Sequence, residues 1–137
     1  HAVERALDIN RPDRDDALDI LSKVGGLDIC GMTGLFLGGA IYGIPTVIDG
    51  VTSAAAAACA YKTDSLTAAY MLPSHMSGEN AAGALFELMG LCPPLRAGMR
   101  LGEATGALMM FPLLDAALAL WRSDHTFESL DMERYRL

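Results

Sequence analysis

The first third of the chain carries apolar residues at helical spacing. Residues Ala2 to Ile9 have helical character but no capping residue before them, so we expect the chain to begin inside an element, as a fragment does. A second helix is predicted after Pro12 and ends at Gly25-Gly26. The stretch from Leu27 to Tyr42 predicts a third helix, rich in small residues.

Short apolar runs alternate with helical segments in the rest of the chain. The predicted strands are Pro45 to Asp49, Ala69 to Leu72 and Leu95 to Met99, and the predicted helices are Ser53 to Tyr61, Glu79 to Met89 and Glu103 to Trp121. Strands joined through helices form right-handed crossovers, and short runs without alternation are typical of parallel strands buried on both sides. The predicted fold class is therefore α/β, with a mostly parallel sheet and helices on both faces.

Composition and charge narrow the class of protein. With 137 residues and 52% hydrophobic content, the chain can form one compact domain with a core. We assign residues 1–121 to this domain, and residues 122–137, where the charge density rises, to a charged C-terminal tail or surface helix. The formal net charge of -7 repels phosphate backbones and anionic lipid surfaces, which argues against nucleic acid as a partner.

The cysteines show neither C-x-x-C spacing nor histidines at metal-ligand spacing, so no metal site is expected. We interpret all of them as buried free thiols of a protein in a reducing compartment, the cytoplasm. They are Cys30, Cys59 and Cys92.

One stretch approaches the length of a membrane span. No charge occurs between Asp28 and Asp49, which is close to the ~20 residues that a spanning helix needs. However, Pro45 divides this stretch, and flanking Lys, Arg and aromatic anchors are missing. A membrane segment is therefore an alternative that the sequence disfavours.

Polar residues cluster in the loops that follow the predicted strands. The loops are Asp49 to Ser53, Ser74 to Glu79 and Arg100 to Glu103. In an open parallel sheet, ligands bind outside the carboxyl ends of the strands. Each loop also leads into a helix whose free N–H groups can hold a phosphate or another anion. The pattern predicts a site for an anionic ligand.

The same residues have structural interpretations that the sequence leaves open. Ser53 and Ser77 belong to the residue type that caps helices, and Asp49 before a glycine is typical of a turn. His75 fits a structural hydrogen bond as well as it fits a binding site.

Glu103 is the candidate for proton transfer. It follows Arg100 in a part of the chain with few charges, and a carboxylate held against apolar surroundings suits proton transfer near neutral pH. Alternatively, Arg100 and Glu103 form an exposed ion pair that contributes little. The residue types predict one carboxylate base and do not name a substrate.

Four segments carry a resemblance to a known family, in order and in spacing. They are Gly25 to Ile29, Gly43 to Gly50, Ser74 to Ser77 with Glu79, and Arg100 to Ala107. Together they resemble the nicotinate-nucleotide:dimethylbenzimidazole phosphoribosyltransferases of cobalamin lower-ligand assembly. The resemblance, from about Ala2 to Trp121, implies a Rossmann-like doubly wound fold, a homodimer and no metal or cofactor.

The resemblance also implies a reaction. The family transfers ribose 5-phosphate from nicotinate mononucleotide to 5,6-dimethylbenzimidazole or a related azole, and it releases nicotinate. The glutamate of its R-L-G-E motif, the general base, corresponds to Glu103. The implied substrate-binding residues are Asp49, Gly50, Ser53, His75, Ser77, Arg100, Leu101 and Gly102.

The chain departs from the family pattern at several positions. Ala104 stands where glycine is common, Met76 where a polar residue is common, and Ala82 where a histidine often lies. The family's phosphate loop, a second glutamate and a lysine precede the matched region, so we expect a C-terminal fragment that is inactive alone. The alternative is a noncatalytic α/β module for ligand binding or dimerisation.

Overall fold

The computed structural model describes residues 1–123 and 126–134. The helices are α1 (Ala2–Asn10), α2 (Ala17–Val24), α3 (Leu27–Tyr42), α4 (Val51–Thr63), α5 (Ala81–Met89) and α6 (Thr105–Trp121), the strands are β1 (Thr46–Ile48) and β2 (Met71–Pro73), and a 3-10 helix spans Ser65–Tyr70. All of the helices predicted from the sequence are present, with shifts at their ends.

Strands β1 and β2 form a parallel pair in which Thr46 lies opposite Met71 and Ile48 opposite Pro73. Helix α4 connects them, so the three elements form a βαβ unit. The prediction of a parallel α/β fold is confirmed.

The third predicted strand, Leu95 to Met99, is wrong beyond its first residue. Only Leu95 pairs with the sheet region, through a single parallel bridge to His75. Gly98 has a φ of 61°, which takes the backbone out of the extended conformation after Leu95.

Helices α5 and α6 each begin two residues later than predicted, at Ala81 and Thr105 instead of Glu79 and Glu103. At α6 the cause is the backbone, since Glu103 and Ala104 have φ values of 55° and 58°. A right-handed helix cannot include residues in that conformation.

Helix α4 is the centre of the core. It packs against α2, α3 and α5. Alanine side chains are small enough to let the surrounding backbones approach closely, and five of them on α4 are buried: Ala54, Ala56, Ala57, Ala58 and Ala60. Phe36 of α3, Phe86 of α5 and Ile48 of β1 complete the cluster. Since α4 begins directly after β1, this packing fixes the loop between them.

Helix α6 is apolar but lies largely on the surface. Gly106 is its only buried residue, whereas Leu120 is 74% and Trp121 88% exposed. Residues 126–134 consist of turns and irregular chain and are exposed, while 124–125 and 135–137 of the predicted tail lie outside the described residues. Among the described helices, none is long and apolar enough to cross a membrane.

The cysteines are free thiols, as predicted, but they are not all buried. Cys30 and Cys59 are half-buried, and Cys92, in the loop after α5, is exposed. Burial raises the pKa of the Cys59 thiol, and the charge of nearby Cys30 raises it further.

Candidate functional site

A cleft of about 490 Å³ opens where the two strands end, and all three polar loops contribute to it. Every candidate site residue taken from the sequence lines it: Asp49, Gly50, Ser53, His75, Ser77, Arg100, Leu101, Gly102 and Glu103. The loops therefore gather at the carboxyl ends of the parallel strands, the usual position of ligands in such sheets. Met32 of α3 also lines the cleft, and no pattern in the sequence pointed to it, because the three loops that it faces lie far from it in the chain.

The first loop is closed by Ser53. Its hydroxyl accepts a hydrogen bond from the Asp49 N–H at 2.9 Å and donates one to the Gly50 carbonyl at 2.8 Å. The N-cap of α4 is Gly50, so Ser53 does not cap this helix, contrary to the structural interpretation. Ser53 instead holds the turn between β1 and α4 in shape.

Hydrogen bonds in the second loop determine the tautomer of neutral His75. The buried Ser74 hydroxyl lies 2.6 Å from the Ile48 carbonyl, and this contact uses its only hydrogen. The 3.1 Å contact between Ser74 Oγ and His75 Nδ1 therefore needs the hydrogen from Nδ1. Neutral His75 is thus protonated at Nδ1, and Nε2 remains as an acceptor.

The second and third loops are joined by their backbones. The N–H of Met76 donates to the Leu95 carbonyl at 2.8 Å, and the N–H of Gly78 donates to the Met99 carbonyl at 3.2 Å. The Arg100 side chain lies against Gly78, where a Cβ would come within 3.1 Å of its Cγ and Cδ. The two loops consequently form one wall of the cleft.

Ser77 and Glu79 contact each other at the end of that wall. The hydroxyl of Ser77, which is buried, donates to a carboxylate oxygen of Glu79 at 3.4 Å and accepts from its backbone N–H at the same distance. Ser77 therefore belongs to the turn before α5, in addition to lining the cleft.

Glu103 lies at the rim of the cleft and is exposed. We expected apolar surroundings for its carboxylate, and this expectation is wrong: within the part of the chain that the structure describes, the side chain is open to solvent. Three successive residues, Gly102, Glu103 and Ala104, have φ values of 76°, 55° and 58°. For the two that are not glycine, this left-handed conformation costs about 1–2 kcal/mol each, and such strain persists only where other contacts hold it.

One of these contacts comes from Asp49. Its carboxylate accepts a hydrogen bond from the Ala107 N–H in the first turn of α6 at 2.9 Å. The sequence carried a weak sign of this, because Ala104 at the start of α6 has no oxygen with which to cap the helix.

Gly106 brings α6 against the second loop. A Cβ at this position would overlap the imidazole ring of His75, so only glycine fits there without movement. Contacts from the first two loops therefore seat the start of the helix that follows Glu103.

The part of the chain that the structure describes contains no group of three or more His, Cys, Asp and Glu residues arranged to hold a metal ion. Within the same residues, Arg100 and Glu103 do not form an ion pair. The groups of the cleft are instead hydroxyls, carboxylates, a histidine, an arginine and backbone N–H groups.

The parallel sheet, its crossover helix and the polar cleft define an α/β protein with a candidate site at the carboxyl ends of its strands. A family model described as phosphoribosyltransferase matches residues 1–131. The chain belongs to the nicotinate-nucleotide–dimethylbenzimidazole phosphoribosyltransferase family, as its relatives of that name also indicate.

The chain aligns with only part of each similar protein. The nicotinate-nucleotide–dimethylbenzimidazole phosphoribosyltransferase of Clostridium acetobutylicum is 44% identical over 98% of this chain and 38% of its own. That of Desulforamulus reducens is 46% identical over 91% and 36%. The crystal structure of the Thermus thermophilus enzyme superposes with a TM-score of 0.87 at 33% identity, over 98% of this chain and 40% of that one. The chain thus spans about two fifths of the length of these relatives.

Proposed function

We propose that this chain is part of an enzyme that transfers ribose 5-phosphate from nicotinate mononucleotide to 5,6-dimethylbenzimidazole or a related azole. The observation that carries the proposal is the meeting of all three loops, with Glu103 among them, around one cleft of about 490 Å³. Membership of the family supplies the substrate classes.

In the proposed reaction, one azole nitrogen attacks C1 of the ribose and forms the new C1–N bond. The bond from C1 to the nicotinate nitrogen breaks, and its electron pair leaves with nicotinate. Glu103 takes the proton of the other azole nitrogen, so the α-ribotide is released neutral at the azole. Placement and proton removal together lower the barrier without a covalent enzyme intermediate.

We divide the other candidate residues of the cleft between the two substrates. Leu101 and Gly102 lie next to Glu103 in the chain, so we assign them to the azole. Asp49, Gly50, Ser53, His75 and Ser77 are assigned to the nucleotide, with Arg100 as the cation for its phosphate. Support comes from the start of α4 directly after Gly50, since free N–H groups at the beginning of a helix favour phosphate.

The base assignment is tested with Glu103→Gln in a polypeptide of the relatives' length that contains this chain. Loss of a general base should lower kcat about 100- to 10,000-fold, while nicotinate mononucleotide still binds. The matched control is Glu87→Gln, an exposed carboxylate on α5 outside the cleft, which should leave kcat unchanged. Product is measured as α-ribotide by chromatography and mass spectrometry. Undiminished turnover of Glu103→Gln would refute the assignment.

A noncatalytic binding or dimerisation module is the second candidate. Ala82, at the position where the family often has histidine, is fully buried in α5 and has no functional group to offer. Binding of the nucleotide and benzimidazole without product in the same assay would favour this candidate over the enzyme.

We also propose a cytoplasmic homodimer. The exposed apolar side chains of α6, such as Leu118 and Trp121, support association, because contiguous apolar surface of this kind is usually covered. A mass measurement in dilute solution that gives only the monomer would contradict the dimer.

A further inference from the structure

We propose that Asp49 of the first loop is a positioning residue, which holds the turn that carries Glu103 by accepting a hydrogen bond from the first turn of helix α6. This inference rests on the proposed function, because it concerns the placement of the proposed base. It gives Asp49 a role beyond contact with the nucleotide.

The hydrogen bond between Asp49 and α6 gives the first turn of this helix an acceptor for one of its N–H groups. The N–H groups in the first turn of a helix have no acceptor within the helix. Helix α6 has no side-chain cap of its own and no acidic residue in its first turn. Asp49, 58 residues earlier in the chain, accepts from the Ala107 N–H and brings a negative charge to the positive end of the helix.

The turn between the loop wall and α6 is fixed at both ends. On one side, the Gly78 N–H donates to the Met99 carbonyl at 3.2 Å. On the other side, Asp49 holds Ala107 at 2.9 Å. The strained Glu103 lies between these anchors with a φ of 55°. Release of either anchor allows the turn to relax toward right-handed conformations, and the carboxylate then moves away from the substrate.

Gly106 and Asp49 hold the start of α6 in different ways. The absence of a Cβ at Gly106 lets α6 approach the His75 ring directly, which limits sideways movement of the helix start. This contact is van der Waals packing and has no preferred direction, whereas the hydrogen bond that the Ala107 N–H donates to Asp49 fixes the orientation of the first turn.

The first test compares two substitutions in the polypeptide of the relatives' length. Asp49→Ala removes the acceptor and should lower kcat about 100-fold, the cost of a misplacement of about 1 Å. Asp49→Asn keeps an oxygen that accepts the Ala107 N–H and should restore most of kcat. The matched control is Asp16→Ala, which removes a carboxylate that caps α2 through the N–H groups of Leu18 and Asp19 outside the cleft. It should leave kcat unchanged.

A double-mutant cycle shows whether Asp49 acts through the base. If it does, Asp49→Ala should lower kcat little further in a protein that already carries Glu103→Gln. An undiminished further loss in that background would overturn the proposal. A rise in KM for nicotinate mononucleotide with unchanged kcat would also overturn it, because that result describes substrate binding only.

Hydrogen exchange separates this proposal from the proposed function. The Ala107 amide should exchange faster in Asp49→Ala than in the wild type, and it should be unaffected in Asp16→Ala. This measurement needs no activity, so a wild-type protein that forms no product refutes the reaction, and the exchange result then decides the positioning role. Unchanged exchange of Ala107 in Asp49→Ala would overturn that role.

Discussion

The substitution Gly106→Ala tests the seating of α6 on the second loop. A Cβ at Gly106 would overlap the His75 ring, whereas a Cβ at Gly83, inside α5, meets nothing within 4 Å. Replacement of glycine by alanine inside a helix stabilises a protein by about 0.5–1 kcal/mol, and this term is common to both positions. Gly106→Ala adds an overpacking cost of about 1–3 kcal/mol, so the two variants should differ by that amount.

The assay is urea denaturation of Gly106→Ala, Gly83→Ala and the wild type under identical conditions. With an m-value of about 2 kcal/mol/M, a difference of about 2 kcal/mol separates the two midpoints by about 1 M. Gly83→Ala should unfold at a higher urea concentration than the wild type, and Gly106→Ala at a lower one. Truncation of the ring in Gly106→Ala/His75→Ala should remove the overlap, so the two changes should cost less together than the sum of their separate effects. Equal midpoints for the two alanine variants would refute the packing.

Three further predictions follow from single residues. Ala104→Gly should stabilise the protein by up to about 1 kcal/mol, because relief of left-handed strain exceeds the added entropy of the unfolded chain, and a lower urea midpoint would contradict this. A hydrogen bond from the Asp13 N–H lowers the pKa of the Asp19 carboxyl from its ordinary value of 3.8. The ionised carboxylate therefore stabilises the fold above that pH, and this stabilisation is lost as the pH falls through the lowered pKa. Asp19→Asn should destabilise the protein at neutral pH and differ less from the wild type in acid, as urea denaturation at the two pH values would measure. Exposed Cys92 should react with iodoacetamide before Cys59, whose pKa burial raises, and peptide mapping that finds Cys59 modified first would disprove this order.

Local signals predicted most of the fold. Gly43 and Gly90 end α3 and α5 with φ values of 67° and 66°, and glycine is the residue type that adopts this conformation readily. The strand predicted from Leu95 failed because a run of apolar residues does not reveal the backbone conformation at Gly98, whose φ of 61° is not that of an extended chain. The exposure of Cys92 was not predicted either, because hydrophobic residues beside it in the sequence do not have to pack around its side chain in the folded protein.

The candidate site was predictable as a set of loops but not as a set of contacts. Polar residues after each predicted strand located the loops, because the ends of parallel strands meet at one edge of a sheet. The bond between Asp49 and Ala107 joins residues 58 positions apart, and its existence depends on how α6 packs. The left-handed backbone at Glu103 was equally hidden, since glutamate has no preference for that conformation.

The alanine-rich α4 has a consequence for redesign of the cleft. Ala54, Ala56, Ala57 and Ala60 are 0% exposed, so any larger side chain there must push apart helices that also carry the loops. Attempts to change which ligand the cleft binds should therefore vary Leu101, which lines the cleft and is 76% exposed, and leave the buried alanines of α4 unchanged.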